Sequence, residues 1–121
     1  MQHDEFLKTL SERTGLERDD ADRAAVAVLT TLGERITQEE AEDLAAQLPS
    51  GLESVLQGSG RAERFDLDEF LRRVAEREGA DTEEAREHAR AVFEVLREAV
   101  TKEELSDVLS QLPREFEPLF A

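Results

Sequence analysis

The feature that most constrains the fold of this chain is an internal duplication without gaps. When the chain is shifted by 64 residues, residues 4–56 align with residues 68–120, and 21 of the 53 aligned positions are identical. The identities include Asp-Glu-Phe-Leu at 4–7 and 68–71, glycine at 15 and 79, and Gln-Leu-Pro at 47–49 and 111–113. An acidic composition raises the number of chance matches among carboxylates, but it does not place phenylalanine, glycine and proline in register. We therefore predict two copies of one structural unit.

Apolar residues in both copies recur at the spacing of an amphipathic helix. Phe6, Leu7 and Leu10 form the first such stripe, which ends at Gly15, a residue suited to the left-handed conformation that follows a helix. A longer, alanine-rich helix comes next, and in the second copy Asp81 is a predicted N-cap. No strand is predicted, because nothing alternates between apolar and polar over more than a few residues.

A third helix begins in each copy with a Thr-x-x-Glu sequence typical of a capping box. In that motif the threonine side chain accepts from the third amide of the helix, and the glutamate returns a bond to the threonine amide. The two sequences are Thr37 to Glu40 and Thr101 to Glu104. A proline ends each of these helices, and we expect it to be the first residue of a short fourth helix.

These patterns predict an all-α fold, a pseudo-twofold pair of three-to-four-helix units packed into one bundle-like domain over residues 1–121. The repeats are residues 4–57 and 68–121, and residues 58–64, which begin Gly-Ser-Gly, are the predicted linker. Each unit has few large apolar residues for its length, so we expect the halves to share a core. The alanine-rich faces of the two long helices are the expected contact between them.

Charge is the strongest deviation in composition. The chain has 30 acidic and 15 basic residues, a formal net charge of −15, and only two of the basic residues are lysines. Such a charge destabilises a folded protein by self-repulsion unless salt screens it. The composition is typical of a halophilic source, and a GC-rich genome is the alternative explanation. Either way we predict no nucleic-acid partner, since phosphates need a basic face.

Neither a membrane span nor a signal peptide is predicted. No segment approaches the roughly 18 consecutive apolar residues that a span requires. The N-terminal residues 1–5 are polar and acidic rather than basic and then apolar. We therefore expect a cytoplasmic protein without a membrane partner.

Several of these motifs occur together in one known family. Asp-Glu-Phe-Leu at 4–7, Glu-Arg-x-Gly at 12–15, and Thr-x-Glu-Glu-Ala-x-Asp-Leu-Ala-Ala-Gln-Leu-Pro at 37–49 resemble the domain of unknown function 2267. The resemblance covers both copies, although the second has Leu105-Ser106 and Val108-Leu109-Ser110 where the first has alanines. It implies a small bacterial or archaeal helical domain without an established activity, and it supplies no site residue.

The residues offer little for catalysis or metal binding. The chain has no cysteine or tyrosine and only two histidines, so the usual pairs of nucleophile and base are nearly absent. His88 follows Glu84 by one helical turn, but its counterpart in the first copy is Ala24, which does not suit a symmetric site. The acidic runs at 39–43 and 83–84 are interpreted as solvated helix starts that complement the helix dipole. We predict no enzyme, no cofactor and no catalytic or metal-ligating residue.

The Gln-Leu-Pro corners and the aromatic C-terminus are the candidates for contact with a partner. In a structural interpretation, the glutamines bond free carbonyls at the ends of their own helices and the prolines restart the chain. In a functional interpretation, the two corners line a groove for a partner. The C-terminal phenylalanines either close the core or form an exposed patch for a partner or a second copy. The possible contact residues are Gln47, Pro49, Gln111, Pro113, Phe116 and Phe120.

Two functions fit these features. The first is a non-catalytic protein-interaction or regulatory module that binds another protein or itself. The alternative is a small-molecule or cation-binding domain that uses carboxylates and arginines between the two halves. The one local basic cluster is interleaved with carboxylates that would neutralise it, and it consists of Arg61, Arg64, Arg72 and Arg73.

The net charge generates a prediction about stability. Lowering the salt concentration from about 1 M, where the Debye length is about 3 Å, to a dilute buffer should lower Tm markedly, because the surface carboxylates then repel one another. Thermal melts over a salt series measure the effect. A Tm that does not change would exclude the halophilic interpretation.

Overall fold

The described residues, 1–56 and 62–120 of a computed structural model, form six α-helices and two short 3-10 helices, without a strand. The α-helices are α1 (His3–Thr14), α2 (Arg18–Arg35), α3 (Gln38–Ala45), α4 (Leu67–Glu78), α5 (Thr82–Ala99) and α6 (Lys102–Ser110). The 3-10 helices are η1 (Glu53–Leu56) and η2 (Arg114–Leu119). Each half thus has three α-helices and one 3-10 helix, which confirms the all-α prediction.

The helix starts follow the duplication of the sequence. The helices α4, α5 and α6 begin 64 residues after α1, α2 and α3 respectively. Both first helices end at a glycine in the left-handed region, Gly15 with φ 77° and Gly79 with φ 79°, as the sequence predicted. Glycine adopts this conformation without the steric penalty of a β-carbon.

Side-chain caps start the later helices, but not all in the predicted way. Asp81 and Glu84 form a complete capping box at α5. At α3 and α6, each threonine accepts a hydrogen bond from the third helical amide at 3.2 Å, Thr37 from Glu40 and Thr101 from Glu104. Neither glutamate returns a bond to its threonine, so the prediction of complete capping boxes there is wrong.

The fourth element of each half differs from its prediction. It is a 3-10 helix, and neither proline is its first residue. Pro113 is the N-cap of η2, with an extended backbone at ψ 159°. Pro49 precedes η1 by several residues, because Gly51 at φ 104° turns the chain before the helix begins.

The two halves contribute to one hydrophobic core. Helix α1 packs against both α2 and α5, and α4 packs against both α5 and α2. The long helices α2 and α5 also contact each other, and both bury alanines completely, including Ala21, Ala25, Ala85 and Ala89. Small side chains on these faces allow the close approach of neighbouring helices.

Ion pairs between the halves are reciprocal. Arg13 of α1 pairs with Glu98 of α5, and Arg77 of α4 pairs with Glu34 of α2. A shift of 64 residues converts one pair into the other. A pseudo-twofold arrangement requires contacts of this kind, and the arrangement itself stays a prediction.

The predicted linker is described only in part, because residues 58–61 lie outside the described residues. In its described part, the Glu63 backbone N–H donates to the Glu34 carbonyl at 2.9 Å. Among the helices of residues 1–56 and 62–120, none has both the length and the apolar character needed to cross a bilayer.

Candidate functional site

The glutamines of the two Gln-Leu-Pro corners each reach across to the opposite half. Gln47 Oε1 accepts from the Thr101 backbone N–H, and Gln111 Oε1 accepts from the Thr37 backbone N–H, both at 2.8 Å. Because Thr37 and Thr101 are the N-caps of α3 and α6, each glutamine satisfies a donor at the start of the opposite helix. The predicted bonds to carbonyls of their own helices are therefore wrong.

The other four candidate contact residues differ in exposure. Pro49 is buried and Pro113 is exposed. Phe116 is 1% exposed and Phe120 is 8% exposed, so the alternative in which they form an exposed patch is wrong. Their rings lie 5.4 Å from Phe70 and 4.3 Å from Phe93 respectively, centroid to centroid, within the core. Contact of these residues with a partner stays a prediction.

Two surface pockets share Leu109 and follow the outer side of α6. One has a volume of 360 Å³, and its apolar lining comes from Leu109, Leu112, Phe116 and Phe120. The other has a volume of 340 Å³ and is lined by Leu105 and Leu109 with the polar residues Arg97, Lys102 and Ser106. We call the two pockets together the α6 groove.

The equivalent surface of the first half has a different character. Where α6 carries Leu105 and Leu109, α3 carries Ala41 and Ala45. The pocket beside α3, of 660 Å³, is lined mainly by polar residues and alanines, with Gln38, Glu42, Ser54 and Glu53 among them. Divergence between the copies therefore leaves the apolar groove on the second half.

Two glutamates at equivalent positions meet where α3 packs against α6. Glu40 and Glu104 are each 8% exposed, and one carboxylate oxygen of each lies within 4.8 Å of the other and of one from Asp107. No hydrogen-bond partner among the described residues reaches Oε1 of either glutamate. We call Glu40 and Glu104 the acid pair. The interpretation of Glu40 as part of a solvated helix start is wrong, because its side chain turns inward to the other half.

The surroundings of Glu40 favour its protonated form. Burial is the largest cause, followed by a hydrogen bond with Glu104 and the negative charges of Glu104, Asp107 and Asp43; together they raise the pKa of Glu40 to about 8. The raised pKa favours a protonated Glu40 at neutral pH.

A second buried carboxyl lies between α4 and α5. Glu78 hydrogen-bonds Nδ1 of His88, and both side chains are largely buried. Burial raises the pKa of Glu78, and the bond from His88 opposes that rise. Sequence spacing had suggested Glu84, one turn before His88, as the neighbouring carboxylate; the partner in the structure instead comes from another helix.

Carboxylates neutralise Arg72 and Arg73 of the predicted basic cluster, whereas Arg64 has no carboxylate within 4.0 Å among the described residues. Arg73 binds Glu34 and Glu63 at 3.1 Å each and Glu69 at 2.8 Å, and Arg72 binds Glu69 at 2.8 Å. Arg61 lies outside the described residues.

Sequence reasoning missed a buried arginine at the end of α2. Nε of Arg35 donates to the Phe65 carbonyl at 2.9 Å, and the guanidinium lies 5.9 Å from the ring centroids of both Phe65 and Phe116. Burial lowers the pKa of Arg35. Its position fixes the end of α2 to the chain that leads into α4, and no local motif in the sequence signals that contact.

The fold and these contacts define a small all-α domain of two similar helical halves, with a buried acid pair between α3 and α6. Residues 3–119 match the model of the family described as "Uncharacterized conserved protein (DUF2267)", and the chain belongs to that family. The resemblance found in the sequence motifs is thereby confirmed. No curated protein matches the chain.

The reciprocal glutamine bonds generate a stability prediction. Gln47→Ala and Gln111→Ala should each lower the free energy of unfolding by about 1 kcal/mol, because each removes the acceptor of a helix N-terminal amide. Urea denaturation measures the change. Gln38→Ala is the control, since that side chain bonds only Glu42 of its own helix, at 3.3 Å. Equal losses in all three variants would contradict the cross-half role.

The raised pKa of Glu40 generates a prediction about pH. The unfolded carboxyl titrates near 4.5 and the folded one near 8, so the folded state binds the extra proton between these values. The contribution of Glu40 is therefore present at low pH and is lost as pH rises from about 5 to 8, on the order of 5 kcal/mol.

Glu40→Gln isolates this contribution, because the amide keeps the shape and the donor but does not titrate. The difference in unfolding free energy between the variant and the wild type should grow in favour of the variant as pH rises. Urea denaturation at several pH values measures it, with Glu39→Gln at the exposed neighbouring position as control. Parallel pH profiles for Glu40→Gln and the wild type would refute the raised pKa of Glu40.

Proposed function

We propose that the protein is a non-catalytic interaction module whose α6 groove binds an acidic amphipathic segment of another protein. The observation that carries this proposal is an apolar groove with cations at its rim, on a chain whose net charge is −15. The chemistry of the groove and the charge of its rim each support the proposal separately.

The apolar lining provides the area that an amphipathic helix needs. Leu109 and Leu112 pack on the core but stay half-buried, so part of each side chain is open to the groove. A helix lays leucines or aromatic residues into such a groove at intervals of three to four residues. The alanine at position 45 gives the first half less apolar surface at the position equivalent to Leu109.

The charge of the rim favours an acidic occupant. Arg97 and Lys102 line one pocket, and Arg114 and Glu117 line the other, so that three exposed cations stand against one exposed carboxylate. Within residues 1–56 and 62–120, no carboxylate lies within 4.0 Å of the Lys102 or Arg114 cations. Complementary charge across an interface speeds association and selects against other partners. A basic segment would instead be attracted to the acidic remainder of the surface.

The proposal assigns the chain no catalysis, no cofactor and no nucleic-acid partner, and it places the module in the cytoplasm. The absence of cysteine and tyrosine from the sequence supports a non-catalytic role. A halophilic source is part of the same proposal, supported by the excess of carboxylates over basic residues.

Fluorescence anisotropy with a labelled synthetic peptide tests the proposal. The peptide, about 15 residues long, carries leucines at helical i, i+3 and i+4 spacing and glutamates elsewhere. We expect Leu109→Ala and Lys102→Glu each to weaken binding about tenfold, a change of about 1.4 kcal/mol. Val26→Ala, at an exposed apolar position of α2, and Gln38→Glu, at the position equivalent to Lys102, are the controls and should bind as the wild type does.

Three results would overturn the proposal. One is equal binding by the wild type and both groove variants. Another is equal binding of a peptide in which lysines replace the glutamates. The third comes from light scattering: a wild-type dimer that Leu109→Ala converts to a monomer would assign the groove to a second copy of this chain.

A further inference from the structure

The acid pair occupies a position that packing alone does not explain. Glu40 and Glu104 each lie at the third residue of a helix, where an exposed carboxylate would complete a capping box. Both instead turn into the contact between α3 and α6, with an unpartnered Oε1 atom that is buried. Among the described residues, neither a hydrogen-bond donor nor a positive charge between the two helices compensates these buried oxygen atoms.

Two carboxylates side by side in a buried contact repel each other unless a proton or a cation lies between them. Each glutamate lies in the first turn of its own helix, where the helix dipole favours a negative charge.

We propose that Glu40, Glu104 and Asp107 bind a divalent metal cation between α3 and α6. One carboxylate oxygen from each of the three residues lies within 4.8 Å of the others, which places all three around a common point. The unpartnered Oε1 atoms of the two buried glutamates supply ligands that no hydrogen bond competes for. The inference goes beyond the α6 groove and does not depend on it.

The donor set selects the class of metal. All three ligands are carboxylates, which suit the hard cations Mg²⁺, Ca²⁺ and Mn²⁺, whereas Zn²⁺ and Cu²⁺ favour imidazole and thiolate. Asp107 is exposed and gives the ion a path from solvent to the buried glutamates. Water molecules complete the coordination of such ions where protein ligands are few.

The duplication supplies a fourth carboxylate nearby. Each half contributes a Glu-x-x-Asp sequence, Glu40 with Asp43 and Glu104 with Asp107, and residues three apart share one face of a helix. Asp43 is close enough for its charge to act on Glu40. Its negative charge adds to the attraction for a cation at the acid pair.

Isothermal titration calorimetry with MgCl₂, CaCl₂ and MnCl₂, at constant high ionic strength, tests the proposal. We expect at least one of these ions to bind with a stoichiometry of one at pH 7. The same ion should raise Tm, because it binds only the folded state.

Conservative variants separate this site from diffuse binding to the acidic surface. Glu40→Gln and Glu104→Gln keep the shape of the side chain, so they should fold, yet each should weaken binding at least about tenfold because a carboxylate ligand is lost. Glu39→Gln and Glu103→Gln remove the same charge one residue earlier, at exposed positions, and should bind as the wild type does. Circular dichroism verifies that every variant is helical.

Two results would overturn the proposal. Absence of stoichiometric binding of all three ions to the folded wild type would show that the three carboxylates do not form a metal site. Equal loss of affinity in the Glu39→Gln and Glu40→Gln variants would show that the ions respond to surface charge rather than to the pair. Neither result bears on the α6 groove, whose peptide test uses other residues and no metal.

Discussion

The rest of the structure depends on the contacts that the first helix of each half makes with the long helix of the other half. Helix α1 covers α5 of the other half as well as its own α2, and α4 does the same with α2 and α5. A half of this chain alone would expose the faces that these contacts bury, and units of about 55 residues have little core to lose. The ion pairs, the glutamine bonds and the acid pair all lie on this shared boundary and follow from it.

Local sequence rules predicted what is decided locally. Gly15 and Gly79 mark the ends of α1 and α4 because a left-handed residue there needs no information from the rest of the chain. Thr37 and Thr101 start α3 and α6 for the same reason. The wrong predictions concern side chains that had possible hydrogen-bond partners nearby in the sequence but bind a partner far away in the sequence. Gln47 and Gln111 lie near free carbonyls at the ends of their own helices. In the structure, however, their side chains accept hydrogen bonds from the backbone amides at the start of the opposite helix.

The acid pair left only a weak signal in the sequence, namely that the two glutamates are identical in both copies. The predicted pseudo-twofold relation between the halves would bring a residue near the axis against its own counterpart. A glutamate conserved between the copies then faces a glutamate, however unfavourable that contact is in isolation. Glu40 and Glu104 are identical in both copies, as a self-pairing position would be, but acidic composition made the match unremarkable. Nothing in the sequence separates them from the exposed Glu39 and Glu103 beside them, because only the three-dimensional position of α3 against α6 does that.

The salt concentration would determine how strongly the acidic surface affects the two proposed sites, the acid pair and the α6 groove. In dilute buffer the net charge draws any cation to the whole surface and weakens the contrast between the acid pair and its surroundings. At about 1 M salt the Debye length is about 3 Å, so exposed charges act only at contact, whereas buried groups are screened much less. Under that condition the unpartnered oxygens of Glu40 and Glu104 keep their effect while the general attraction fades. The same screening reduces the rim charges of the α6 groove to contact range and leaves the apolar area of Leu109 and Leu112 as its main source of affinity. High salt would therefore sharpen the contrast between the acid pair and the rest of the surface, and it would leave the α6 groove to select its partner mainly by apolar contact.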